Sequence, residues 1–168
     1  MSVTFISIFA DVINDRMEIK MDQNVKKYIS ISKLSKEKQP ELFEKEGKGY
    51  FYIHHGAQTC VCHNGEPMCY LGYVEFAPLR SRGNHYHCKK HENICIISGT
   101  VKARFILPNK SEEVYEIILE QGDIVHIIPG CAHSFLSELG AVALEFSPEK
   151  YEKTDTIRCS FKWEEEIH

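Results

Sequence analysis

The sequence is short of positive charge. Twenty Lys+Arg stand against 24 Asp+Glu, a formal net charge of -4 at pH 7. Binding nucleic-acid backbones in bulk needs a basic footprint, which this chain lacks. No helix-turn-helix is evident in residues 1–48, so direct DNA readout is not expected. Long apolar runs are missing too. The apolar start, MSVTFISIFADVINDRMEIK, has no basic flank, and Asp11 cuts it short. This reads as neither a signal peptide nor a transmembrane helix, and a cytoplasmic protein without a membrane partner is expected. Internal repeats and low-complexity segments are also absent. A paired disulfide framework is not expected, because seven cysteines is an odd number and no secretory signal accompanies them. Cys95 and Cys159 lie in apolar runs, where a free thiol acts as a small hydrophobe.

What is present suits one globular domain. The chain has 168 residues, 43% hydrophobic and 26% charged, enough for one sizeable core. Its texture changes near residue 49. Residues 1–48 are mixed, and SKEKQPELFEKEGKG is charged, with a short helix or turn expected near Pro40. From 49 to 168, short aromatic and β-branched runs alternate with Gly, Pro, Asn and Asp clusters. YFYIHH, YLGYVEFA, NICIIS, TVKARFIL, VYEIILE, DIVHIIP and AVALEFS read as strands. IRCSFKWEEEIH reads as one more, with an acidic end. Asn64-Gly65 is a hairpin signal. Many short strands at regular spacing predict an all-β sandwich or barrel.

The stretch GNHYHCKKHENICIISG, Gly83 to Gly99, concentrates possible ligands. His85 and His87 are two apart, so on a strand they share a face. Cys88-Lys89-Lys90 reads as a polar turn. Parity then separates His91 from Glu92. Glu92 is in the row of Ile94 and Ile96, and His91 in the row of Asn93, Cys95 and Ile97. The first row is the more apolar, so Glu92 is expected inside. A buried carboxylate needs a partner, and a metal cation is one. A single histidine would read as a surface or turn residue. Two at strand spacing beside a carboxylate point to a metal site. Further on, GDIVHIIPGCAHSF carries Pro129-Gly130, a sharp-turn pair, just before His133. His133 can return a third imidazole to the same point.

These two stretches resemble the motifs of the cupin superfamily, RmlC-like jelly rolls. HYHCKKHENICIISG is similar to the first motif: His-x-His, four residues, Glu, six residues, Gly. GDIVHIIPGCAH is similar to the second, with Gly122, Gly130 and His133 in place. The resemblance covers about residues 50–148. It departs at Ile128, where the family often has proline, and at Ser137-Glu138, where a trailing asparagine is absent. It implies a cupin-type double-stranded β-helix (a jelly-roll barrel) with an N-terminal extension. It also implies His85, His87, Glu92 and His133 as ligands of one divalent transition metal: Fe, Zn, Mn or Ni. RGNHYH resembles the stretch in cupin domains of sugar-nucleotide and capsular-polysaccharide biosynthesis proteins.

The expected function is a metal-dependent cupin enzyme acting on a small polar biosynthetic metabolite, a sugar or nucleotide sugar, by isomerase, epimerase or lyase chemistry. An Fe(II)-dependent dioxygenase would use the same ligands. A non-catalytic metabolite-binding cupin is the reading from another class. Arg80 and Arg82 precede the ligand strand, and an arginine there can clamp a carboxylate or phosphate. Tyr73 and Glu75 share one strand face, as do Lys102 and Arg104, so either pair can supply an acid, base or anchor. Arg82, Tyr73 and Glu75 are taken as the catalytic candidates. His126 is expected outside, a satisfied histidine rather than a fifth ligand. CVCHNGEPMC holds Cys60, Cys62, His63 and Cys69, a poor match to structural zinc spacing that is better read as a hairpin with buried thiols. TFISIF and KYISIS read as strands of a dimerisation arm, so a homodimer is expected.

Overall fold

The computed structural model describes residues 5–7, 27–32, 48–54, 57–63, 67–108 and 113–166, with the backbone alone for 5–7, 32, 48–54 and 57–63. The described residues form thirteen strands: β1 Phe5–Ser7, β2 Ile29–Ser32, β3 Lys48–His54, β4 Ala57–His63, β5 Tyr70–Phe76, β6 Arg82–His87, β7 Glu92–Ser98, β8 Thr100–Ile106, β9 Val114–Glu120, β10 Ile124–Ile127, β11 Ala132–Leu136, β12 Ala141–Ser147 and β13 Thr156–Arg158. The described residues form no α-helix, only a 3-10 turn at Lys153–Asp155. Among the described residues no helix is long and apolar enough to cross a membrane.

Two large sheets make the all-β barrel anticipated from the strand pattern, in the jelly-roll form that the cupin resemblance implies. One is six-stranded, in the order β1-β9-β8-β11-β6-β13, and the other five-stranded, β2-β10-β7-β12-β5. TFISIF and KYISIS do hold strands, β1 and β2, each at a sheet edge of its own chain. Among the described residues, β3 and β4 pair only with each other. The inner faces follow from period-two alternation. On β8, Val101, Ala103 and Phe105 are buried in the core. Ile94 and Ile96 of β7, Val125 and Ile127 of β10, and Val74 and Phe76 of β5 join the same cluster. Phe135 is the centrepiece. Its ring meets Phe76 and Phe105 edge-on, each at 6.2 Å between centroids, the favoured geometry for aromatic pairs. The β7–β8 turn is tight: Gly99 has φ +83, and a Cβ there would come within 2.7 Å of the Gly140 carbonyl oxygen.

Several expectations are corrected here. Asn64 and Gly65 lie outside the described residues, but β4 pairs with β3 and β5 with β12, so the hairpin lies between β3 and β4. The expected helix near Pro40 falls outside the described residues, as do the side chains of Cys60 and Cys62. Cys69 is exposed. The C-terminal segment gives only a three-residue strand. Beyond it Trp163 is buried, donating to Ser134 Oγ at 2.9 Å, with the Arg104 guanidinium 3.9 Å over its ring. Lys102 and Arg104 therefore face away from the barrel interior. Lys102 bonds Glu165 at 2.9 Å and Arg104 bonds Glu116 at 2.6 Å and the Lys162 carbonyl.

Candidate metal centre

His85 and His87 come from β6 of the six-stranded sheet. A bulge precedes them. Gly83 (φ 90) and Asn84 (φ 55) are left-handed, and the register skips Asn84: His133 pairs with His85, then Ser134 with Gly83. A Cβ on Gly83 would lie 2.9 Å from the His133 carbonyl oxygen, so the bulge also needs glycine for close strand approach. His133 of β11 faces inward beside His85, with ring centroids 4.7 Å apart, and His85 to His87 is 4.8 Å. Phe135 lies against His133 at 5.6 Å, so the core packs directly against the cluster.

The carboxylate arrives from the opposite sheet. Glu92 opens β7 on the row of Ile94 and Ile96 and is 4% exposed. Its Oε2 lies 3.2 Å from His87 Nε2 and its Oε1 3.4 Å from His133 Nε2. Ligand atoms of His85, His87 and Glu92 all fall within 4.8 Å of one another. His91 takes the other face, bonding Glu149 at 3.0 Å and stacking on His126 at 5.7 Å. Strand parity and the structure place Glu92 and His91 alike, and His126 is outside as expected.

The ring edges suit a cation. His85 Nδ1 donates to the Gly83 carbonyl at 2.9 Å, and His133 Nδ1 to the Cys131 carbonyl at 3.1 Å. Those bonds turn the Nε2 lone pairs of both rings inward, where each is buried without a hydrogen-bond partner. A buried unpaired acceptor costs about 1–3 kcal/mol. A divalent ion would satisfy both lone pairs, and three imidazoles with one carboxylate suit Fe, Zn, Mn or Ni. The electrostatics split the two rings: burial lowers His133, but Glu92 and the Cys131 carbonyl outweigh it and raise that ring. Burial, helped by His133, pushes the His85 ring down to about 4, so it is neutral and able to ligate at pH 7. Burial would raise the Glu92 carboxyl, but His133, His87 and Lys90 outweigh it and hold it well below the usual range.

Beside the cluster stands a polar group that the sequence reading missed. Lys90, expected in a solvated turn, is buried, with Nζ 2.5 Å from Glu145 Oε1, 3.6 Å from Glu92 Oε2 and 4.4 Å over the Tyr70 ring. Glu145 pairs with Ile94, and Tyr70 shares its β5 face with Val74 and Phe76, so all three line the inner face. Lys90 has the parity of Glu92, a signal that the turn assignment masked. Burial first, then Glu145, pushes the Tyr70 phenol up, while Lys90 and Arg82 pull it down. Arg82 is exposed, yet it pairs with Phe135 and so stands at the rim of the inner face. Tyr73 and Glu75 are corrected. Tyr73 is 65% exposed and Glu75 shares its outer row, so neither reaches the histidines.

The family model described as Cupin matches residues 73–161, more than half of the chain. The chain belongs to the cupin family. Among curated proteins none matches this cupin. Solved structures do. The sugar 3,4-ketoisomerase QdtA from Thermoanaerobacterium thermosaccharolyticum, in complex with TDP, superposes with a TM-score of 0.59 at 20% identity, covering 78% of this cupin and 88% of that chain. The capsular polysaccharide assembling protein CapF from Staphylococcus aureus gives 0.51 at 19% identity, over 70% of this cupin but only 33% of that chain. ChmJ, a 3'-monoepimerase from Streptomyces bikiniensis in complex with dTDP-quinovose, gives 0.57 at 12% identity, covering 66% of each. At such identities the likeness is one of fold.

Proposed function

We propose that this cupin is a metal-dependent enzyme acting on a sugar or nucleotide sugar, by isomerase, epimerase or lyase-type chemistry. The observation that carries the reading is the pair of buried, unpartnered Nε2 atoms on His85 and His133, turned toward Glu92 and His87. His85, His87, Glu92 and His133 would hold one Fe, Zn, Mn or Ni ion. When bound, such an ion supplies Lewis-acid polarisation of a carbonyl or an activated water.

The remaining work falls to the chain's own groups. Tyr70, kept protonated at neutral pH, can give a proton at its hydroxyl from the inner face. Lys90 and Glu145 hold it there by charge and ring contact. Arg82 at the rim can seat a carboxylate or phosphate bidentately. Support for the substrate class comes from TDP and dTDP-quinovose, the ligands named for the similar folds of QdtA and ChmJ.

The test is elemental analysis of the purified protein, then turnover of TDP-keto sugars with and without oxygen. Ala at His85 or His133 is expected to remove metal and activity together. Activity in a metal-free variant would overturn the reading, and turnover that consumes O2 would replace it with a dioxygenase. The same reading places the protein in the cytoplasm, as a homodimer to which residues 1–48 contribute. A monomer mass at micromolar concentration would count against the dimer.

A further inference from the structure

We propose that Asp155, from the C-terminal segment, is a positioning residue that sets His87 in its metal-binding tautomer. The inference rests on the metal reading above. It begins from an asymmetry among the three histidines. His85 and His133 each have Nδ1 tied to a backbone carbonyl, but His87 Nδ1 is buried without a hydrogen-bond partner. Asp155 Oδ2 stands 3.6 Å from that nitrogen, too far for a bond.

Asp155 is itself buried and tightly held. Its Oδ1 accepts from the backbone N–H of Cys88 at 3.1 Å and Lys89 at 2.9 Å, and Oδ2 from Lys90 at 3.0 Å. These are three of the four residues, 88–91, that link β6 to β7. One carboxylate thus organises the link between two ligand strands and also faces the ring of the histidine before it.

The present contacts explain the gap. Glu92 faces Lys90 and two imidazoles and, as a carboxylate, only accepts. His87 therefore donates to it through Nε2 at 3.2 Å. When neutral, the ring then presents a lone pair at Nδ1, toward Asp155, and two acceptors stand apart. To ligate a metal through Nε2, the ring must give up that proton and take one at Nδ1, with no change in ring charge. The new N–H points at Asp155 Oδ2 and can close the gap. His85 and His133 already hold the required tautomer, so of the three rings only His87 must change. A carboxylate behind a ligating imidazole fixes its orientation and raises its basicity.

The experiment uses the full-length protein, labelled with 15N, stripped by chelation and titrated with Zn(II). Long-range 1H–15N spectra report the proton position on each imidazole. We expect His87 to carry its proton on Nε2 without zinc and on Nδ1 with it, while His85 and His133 stay protonated on Nδ1. Asp155→Asn should lose 10- to 100-fold in Zn(II) affinity, about the cost typical of such a partner, and move the His87 Nδ1 proton upfield. His91→Ala, on the outer face, should bind zinc as wild type does. If His87 is protonated on Nδ1 in both states, or Asp155→Asn keeps wild-type affinity and His87 shifts, the proposal is overturned. Should that variant fail to fold, the wild-type spectra decide alone. Wild type in which no imidazole responds to zinc overturns the metal reading and this proposal with it.

Discussion

Glu92 Oε2 lies 3.2 Å from His87 Nε2, and the two residues belong to opposite sheets of the barrel. The contact closes the distance between β6 and β7 at the point where three imidazole edges meet. Its neighbours along the chain behave differently: His91, one residue before Glu92, turns outward to Glu149.

That contrast gives the first prediction. Glu92→Ala should weaken divalent metal binding by at least about 100-fold, the upper end of what losing even an outer partner costs. His91→Ala should leave affinity within about twofold of wild type. Competition with a chromophoric chelator measures both. Equal losses would show that the metal is not held where Glu92 points.

Metal should also stabilise the fold by mass action. At a free concentration about 100 times Kd the gain is about 2.7 kcal/mol, or a rise in Tm of about 5–10 °C for a domain of this size. Calorimetry with Zn(II) or Mn(II), before and after chelation, reads it. His133→Ala should abolish the shift, and a variant that keeps the full shift would remove His133 from the ligand set.

Lys90 and Glu145 form a buried ion pair at 2.5 Å. Lys90→Met strands Glu145 beside Glu92 and should cost about 3–5 kcal/mol in chemical denaturation. Adding Glu145→Met should recover most of that loss, because two apolar side chains then replace two charges. A double variant as unstable as the sum of the singles would mean the pair is not coupled.

Trp163 anchors the C-terminal segment to the back of β11 through Ser134. Trp163→Ala should destabilise by about 3–5 kcal/mol. Trp163→Phe, which loses chiefly the hydrogen bond, should cost about 1 kcal/mol. Urea midpoints decide it, and near-identical values for the two variants would show that ring packing contributes little.

Much of this site was legible from local periodicity. Alternation on β7 set Glu92 with Ile94 and Ile96, because one row is more apolar and the strand repeat is two. The same rule failed on β5. There Leu71 and Tyr73 are as apolar as Val74 and Phe76, so the pattern yields two rows without saying which faces inward. The bulge at Gly83-Asn84 was not legible either, because no local signal marks where a partner strand skips a residue.

By itself, the sequence determined the all-β class and the candidate ligands His85, His87, Glu92 and His133, because strand parity and motif spacing are properties of neighbours along the chain. Tertiary structure alone decided the rest. Asp155 reaches the backbone of Cys88 across 67 residues, and Lys90 meets Glu145 across 55. Both contacts exist only because β13 pairs with β6 and β12 with β7. Sheet pairing carries distant residues to the same point, and no local pattern encodes which ones.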